Sequence, residues 1–365
     1  MTSARFKIGA LALGCVAAFA LVEIALRIMG LGFGSSPMEP DPILHHVHPR
    51  NYSFRQQHPS RELGGFDTYY DAEGRVFAGP ARARNTAAGA SGCRVALMGD
   101  SFTEGGQVPY EASFPGLLDA AGLGTCEVRN YGVRSYSPAI YLVQYGREIR
   151  DWHPTHVLLL LFGNDVREDV LYLRSAVIGS DGFPTAILGP SDGWLVSQLR
   201  RSYVARFGRM LYMQATWAWE HYGQEQWTQW GVVEENPEWG GPTPGLILEF
   251  SRRVRADGAR VVIMAVPSRY RLMGDGKIKV TGDFHHTVQE WTRQQDLPFL
   301  DLYSPFERAS EAGIPLFFLQ DIHFSAEGHT LTAATIAREF PELFPNYGAI
   351  ASPAVAAAFA DTHPQ

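Results

Sequence analysis

Arg94-Val95-Ala96-Leu97-Met98-Gly99-Asp100-Ser101-Phe102-Thr103-Glu104-Gly105 is the stretch on which the reading of this chain turns. A short apolar run that stops at a glycine suits a buried strand, and the Gly-Asp-Ser that follows delivers a hydroxyl to the carboxyl edge of a parallel sheet. That edge is where α/β proteins place their active sites. Ser101 is therefore a candidate nucleophile. Taken alone, the same serine would equally suit the cap of the next helix, so the choice falls to the rest of the chain.

Outward from this stretch, apolar strands alternate with helical segments from Gly92 onward, the pattern of βαβ units and a mainly parallel sheet. Strands are expected at 94–98, 127–131, 156–162, 260–266 and 299–302, and helices at 113–121, 139–151, 244–257, 284–295 and 326–340. The interval 166–243 is too long for an ordinary loop. It carries Trp194, Trp217, Trp219, Trp227, Trp230 and Trp239 together with Arg200, Arg201, Arg206 and Arg209. Three uses fit it: a lid whose aromatic faces meet sugar or acyl groups, a small satellite core, or a seat at a bilayer interface. The stretch around Arg200 to Arg209 is also basic enough to approach anionic lipid. Residues 346–365 form an alanine-rich tail expected to be weakly ordered.

The chain has 365 residues, 45% of them hydrophobic and 19% charged, enough to bury a full core. Its net charge of -7 offers no basic field for a phosphate backbone, which argues against nucleic acid as a partner. Residues 1–33 differ from the remainder. Arg5 and Lys7 precede an uncharged run at 8–22, and Glu23 and Arg27, four apart, can pair on one helix face near the interface. This reads as a membrane anchor with its N-terminus inside and the bulk of the chain outside. A cleavable signal peptide ending near Ala18-Phe19-Ala20 is the alternative, and the surroundings of Cys15 match a lipoprotein signal poorly.

Residues 34–91 read as a juxtamembrane linker and loop-rich approach, and the hydrolase-like portion as 92–345. His45, His46 and His48 lie in the approach without acidic or cysteine partners at useful spacing, so a solvated loop is expected rather than a metal site. Cys93 and Cys126 begin neighbouring strands. In an exported chain they suit a disulfide, although two free buried thiols fit the sequence equally.

Acyl transfer through serine needs a base, a carboxylate to orient it, and donors for the developing oxyanion. Asp321-Ile322-His323 supplies an acid and a base in one loop, just before a helix that Ser325 can cap. His329 falls on that helix, where a structural role is expected. The ends of the second and third strands offer Gly132, in Asn130-Tyr131-Gly132, and Asn164, in Gly163-Asn164-Asp165. With the N–H of Ser101 they would make three oxyanion donors.

In this order and on successive strand ends, these blocks resemble those of the SGNH, or GDSL-type, serine hydrolases, over about residues 92 to 340. Glu23-Ile24-Ala25-Leu26-Arg27 is similar to the anchor of membrane-attached bacterial members. The resemblance implies a three-layer α/β/α sandwich around a mainly parallel five-stranded, flavodoxin-like sheet. It also implies Ser101, His323 and Asp321 as triad, and Ser101, Gly132 and Asn164 as oxyanion hole. Two departures stand out: Phe162 occupies the usual glycine position two places before Asn164, and one residue rather than two separates Asp321 from His323.

The expected activity is that of an exported esterase, anchored in the inner membrane with its catalytic domain in the periplasm. It would remove small acyl groups, O-acetyl foremost, from envelope or extracellular glycans or another small ester, with no cofactor or metal step. An O-acyltransferase, a lipase or a thioesterase would use the same residues. A noncatalytic glycan-binding protein would keep the fold, but intact Ser101, Asn164 and His323 argue against it.

Overall fold

The computed structural model describes residues 2–29, 38–57, 62–80, 92–191, 193–220, 239–271, 278–281, 283–319 and 321–349. The chain starts with helix α1 (Thr2–Met29). Its residues Phe6–Met29 are long and apolar enough to cross a membrane, and most of its large apolar side chains are exposed, Leu26 being buried. Strands β1 (Glu39–Asp41) and β2 (His45–Val47) pair antiparallel, and β3 (Tyr52–Gln57), β4 (Gly64–Tyr70) and β5 (Val76–Phe77) make a three-stranded antiparallel sheet. The expectation of a loop-rich approach over 34–91 is corrected here. The sheet buries Phe54, Tyr70 and Val76 as a small cluster of its own. Strands this short, built from tyrosine, arginine and glutamine, leave little apolar periodicity to read.

The central sheet holds β6 (Cys93–Gly99), β7 (Cys126–Asn130), β8 (His156–Leu161) and, after a short ribbon of β9 (Ala176–Ile178) and β10 (Pro184–Ile187), β11 (Arg260–Ala265). They run parallel in the order β11-β8-β6-β7. The fifth expected strand is present only as a bridge between Ile263 and Phe299. The Ile263 N–H donates to the Pro298 carbonyl and the Leu300 N–H to the Ile263 carbonyl, each at 2.9 Å. Pro298 has no N–H to extend the ladder, and the chain enters a helix at Tyr303.

Strands β6, β8 and β11 are apolar on both faces because helices cover both, whereas edge strand β7 alternates buried and partly exposed residues. One face, including Val95, Leu97, Leu158, Leu160 and Val262, packs under α3 (Phe114–Ala121) and α11 (Ala326–Glu339). The other, including Ala96, Met98, Val157, Leu159 and Ile263, packs under α4 (Pro138–Gln144) and α8 (Thr243–Ala256). The result is an α/β/α sandwich. The remaining helices are α2 (Ser101–Glu104), α5 (Asp165–Tyr172), α6 (Trp194–Arg201), α7 (Tyr203–Glu220), α9 (Asp283–Gln294) and α10 (Tyr303–Glu311), and a ribbon of β12 (Ser268–Arg271) and β13 (Ile278–Thr281) precedes α9. Cys93 and Cys126, register partners at the start of β6 and β7, are joined by a disulfide with their Cα atoms 4.6 Å apart.

Within the interval 166–243 the described residues form most of α5, the β9-β10 ribbon, α6 and α7. Trp239 belongs to the core, edge-on to Trp291 and Phe284. Trp219 is exposed. Trp227 and Trp230 lie outside the described residues, as do residues 350–365 of the expected tail.

Candidate active site

The turn after β6 is set by a residue without a side chain. Gly99 has φ +154, and a Cβ there would sit 2.8 Å from the Leu160 carbonyl oxygen of the neighbouring strand. The chain can then turn sharply into α2. Asp100 caps this helix, its Oδ1 accepting the Phe102 N–H at 2.9 Å. Ser101 is thus the first residue of α2 and not its cap, and its hydroxyl is left for other work. As the first helical residue it also has an N–H without an intrahelical acceptor.

That hydroxyl meets His323. Ser101 Oγ donates to His323 Nε2 at 2.7 Å, and His323 Nδ1 donates to Asp321 Oδ1. The same Asp321 oxygen accepts the backbone N–H of His323 at 2.9 Å. One intervening residue therefore suffices. The aspartate folds back in an Asx-type turn and holds main chain and ring of the histidine together. The ring lies 4.9 Å from that of Phe102, centroid to centroid, and Phe324 fills the space behind. Ser325 starts α11 by accepting the Gly328 N–H at 3.2 Å, which fixes the far side of the loop. The tautomer follows from the partners: Nδ1–H faces a carboxylate, so Nε2 is free to accept.

The two further oxyanion candidates occupy the adjacent strand ends. Gly132 packs onto α2 so closely that a Cβ would fall 2.8 Å from that of Thr103. Its N–H donates to Asn130 Oδ1 at 2.8 Å, so it enters an oxyanion hole only by sharing or exchanging that bond. Asn164 precedes α5, is hydrogen-bonded to Glu168, and has a buried Oδ1 without a partner. Phe162, in the position expected to be glycine, packs against Phe102 with ring centroids 4.7 Å apart and planes tilted by 53°, and so supports the turn that carries Ser101.

Two groups of buried acids flank Ser101, and neither was assigned from sequence. Glu104, at the end of α2, is buried. It accepts the Arg134 backbone N–H at 2.9 Å and the Arg134 Nη2 at 2.8 Å. His48 Nε2 lies 3.4 Å from Glu104 Oε1, the oxygen that accepts Arg134 Nη2. Burial works against the charge, but the Arg134 guanidinium and His48 outweigh it and hold the carboxyl well below the usual range. The expectation of a solvated histidine loop is corrected accordingly. His48 is buried, stacked on Tyr70 at 4.3 Å and bonded to the Gly74 carbonyl, while His46 Nε2 donates to the Arg134 carbonyl at 2.8 Å. The approach segment is thereby fastened beneath the active-site edge.

On the other side Asp100, Asp165, Glu168 and Asp169 lie close together, and among the described residues no arginine or lysine is bonded to them. Asp165 Oδ2 accepts the Phe162 N–H at 3.1 Å. Asp169 accepts from Ser137 Oγ, the Ala139 N–H and Thr243 Oγ1. Asp100 Oδ2 is buried without a partner. Burial pushes all four carboxyls up, Glu168 to about 8 and Asp169 to about 6. His329 is buried too, accepts the Phe114 N–H at 3.3 Å and is pushed down to about 3 by burial, as befits the structural role expected of it. Among the described residues no group of three or more histidines, cysteines or acids could hold a metal ion.

A nucleophile turn on β6 and an acid-base loop ahead of α11, meeting at one sheet edge, describe a serine acylhydrolase. Residues 97–331 match the GDSL-like Lipase/Acylhydrolase family, and the chain belongs to it. It is accordingly a hydrolase of ester bonds. Solved structures similar to it include a putative lipolytic protein of the G-D-S-L family from Desulfitobacterium hafniense, 15% identical over 67% of this chain and 98% of that one, TM-score 0.37. A GDSL-like lipase from Bacteroides thetaiotaomicron is 17% identical over 72% and 96%, TM-score 0.37. An acetylxylan esterase from Geobacillus stearothermophilus, crystallised as a catalytic mutant, is 15% identical over 69% and 94%, TM-score 0.40. No curated protein matches the chain.

Proposed function

We propose that this chain is an exported, membrane-anchored serine esterase that removes small acyl groups, O-acetyl foremost, from envelope or extracellular glycans. The hydrogen-bonded line from Ser101 through His323 to Asp321 carries this reading. Ser101 Oγ attacks the ester carbonyl as its proton passes to His323 Nε2, and Asp321 stabilises the imidazolium that results. The N–H of Ser101 and the Asn164 amide receive the oxyanion, joined by the Gly132 N–H once it leaves Asn130. His323 then protonates the departing alkoxide. In the second half it takes a proton from water, which attacks the acyl-Ser101 carbonyl and frees the acid. Export is supported by the Cys93–Cys126 disulfide, and anchoring by the exposed apolar α1. The glycan is inferred from the placement outside the cell.

The test is direct. A fluorophosphonate should label the full chain at Ser101, and S101A should lose both label and ester cleavage. Acetate release across a panel of acetylated glycans should then identify the substrate. A chain that cleaves no ester and takes no label, under conditions that label a known esterase, would reject the reading.

A further inference from the structure

Helix α7 carries an exposed face without a charge, while Arg206 turns toward the protein and Arg209 lies on a different, exposed face. Gly208, Leu211, Tyr212, Ala215, Ala218 and Trp219 recur at the spacing of one helical face, carry no charge, and are all exposed. Tyr212 is 69% exposed and Trp219 84%. On α6, just before it, Leu195, Val196 and Leu199 are exposed as well.

Arg200, Arg201 and Arg206 are occupied by protein. Arg206 donates to the Tyr52 hydroxyl at 2.5 Å and lies over the Phe54 ring. Arg200 donates to the Met38 carbonyl at 3.1 Å, and Arg201 pairs with Glu39 at 2.6 Å. These three bonds do not include Arg209, the fourth named arginine of the stretch, which is exposed.

The start of α7 is fixed to α1. The Glu23 carboxylate accepts the Tyr203 N–H, the Val204 N–H and the Ser202 hydroxyl, each at 2.9 Å, and so caps α7 from another helix. Arg27 pairs with Glu23, donates to the Arg201 carbonyl at 3.1 Å and lies 4.6 Å above the Tyr203 ring. A span of about 20 residues crosses the hydrocarbon. Counted from Phe6, Glu23 falls near the level where the acyl chains end, about 9 Å of helix rise before Met29. A carboxylate and three donors satisfying one another is what that level demands.

Resting on the anchored reading of α1, we propose that α7, with α6 beside it, lies on the lipid bilayer at the C-terminal end of α1, its uncharged face against the acyl chains. The occupant of the exposed stripe is lipid, held by apolar contact and not by anionic headgroups. The bilayer then seats the catalytic domain at two points, α1 and α7, which sets the height and tilt of the Ser101 edge.

Nitroxide labels on the full chain reconstituted in vesicles test this. Native Cys15, exposed on α1, reports on the anchor. In a C15S background, L211C, A215C and W219C report on the stripe and R209C on another face of α7. We expect the stripe labels to show an oxygen-to-nickel-complex accessibility ratio several-fold above that of R209C, equally in phosphatidylcholine and in vesicles containing phosphatidylglycerol. Cys15 in lipid with stripe labels as wet as R209C would overturn this inference and leave the anchor standing. Stripe labels shielded from both reagents would mean that protein covers the face, and burial only with anionic lipid would mean headgroup attraction; either overturns the proposal. A Cys15 label outside the lipid would remove anchor and inference together.

Discussion

Glu104 on one side of Ser101, and Asp100, Asp165 and Asp169 on the other, are buried to a similar depth, with Glu168 half-buried beside them, and the two sides ionise in opposite senses. Glu104 keeps its charge because Arg134 and His48 stand against it. Asp100, Asp165, Glu168 and Asp169 have hydroxyls, amides and one another, and burial pushes them all toward the protonated form. Depth alone therefore does not decide the charge of a carboxyl; the neighbouring cation does. The difference also bears on the histidine. Asp321, partly exposed, is the carboxylate bonded to the His323 ring, while Asp100, one residue before Ser101, is held toward neutrality by burial.

The largest effect should come from breaking the paired side. R134M leaves Glu104 buried without its cation, and we expect a loss of about 3–5 kcal/mol in unfolding free energy by denaturant titration. E104Q/R134M should recover part of it. A single variant costing under about 1 kcal/mol would mean that the pair is not what stabilises this side.

The unpaired side should show itself in pH. Its carboxyls keep protons in the folded state that the unfolded chain releases above about pH 4 to 4.5, so the folded state binds more protons and stability falls as pH rises. For Glu168 the stabilising proton is fully present below about 4.5 and lost as pH passes about 8. We expect the Tm to decline from pH 5 to pH 8, corresponding to on the order of 1–3 kcal/mol, and E168Q to flatten the decline. Glu104 cannot mask it, because its contribution is already complete above its ordinary pKa and is lost only toward strong acid. A Tm that rises across this window, with the slope unchanged in E168Q, would contradict the assignment.

The smallest effect should be that of D169N. Asp169 accepts three hydrogen bonds that tie α5 to α4 and α8, and an amide keeps only part of that capacity. A cost of about 1 kcal/mol is expected, together with a slightly shallower pH slope.

Much of the central sheet and the site was legible because both rest on strong local signals. A two-faced apolar strand reads as a continuous run, and Gly-Asp-Ser and Asp-x-His sit at abrupt changes of pattern. Ser101, His323 and Asp321 accordingly meet as expected. Their neighbours were not legible, because nothing local distinguishes Glu104 from an exposed helical glutamate. Its partners, Arg134 and His48, arrive from 30 residues downstream and 56 upstream. The small sheet over 52–77 escaped notice for a related reason: its strands bury one or two side chains each and depend on pairing across the sheet. Gly132 looked like a free donor, and only the structure reveals that Asn130, two residues earlier, already holds its N–H.

The disulfide between Cys93 and Cys126 closes a covalent ring of chain that contains β6, the nucleophile, α2 and α3. A protease cut anywhere inside that ring opens the backbone yet releases nothing: the nicked protein keeps its mass plus one water and separates into fragments only when reduced. In a reducing compartment the ring is open, and the chain forgoes about 3–4 kcal/mol of loop-closure stabilisation.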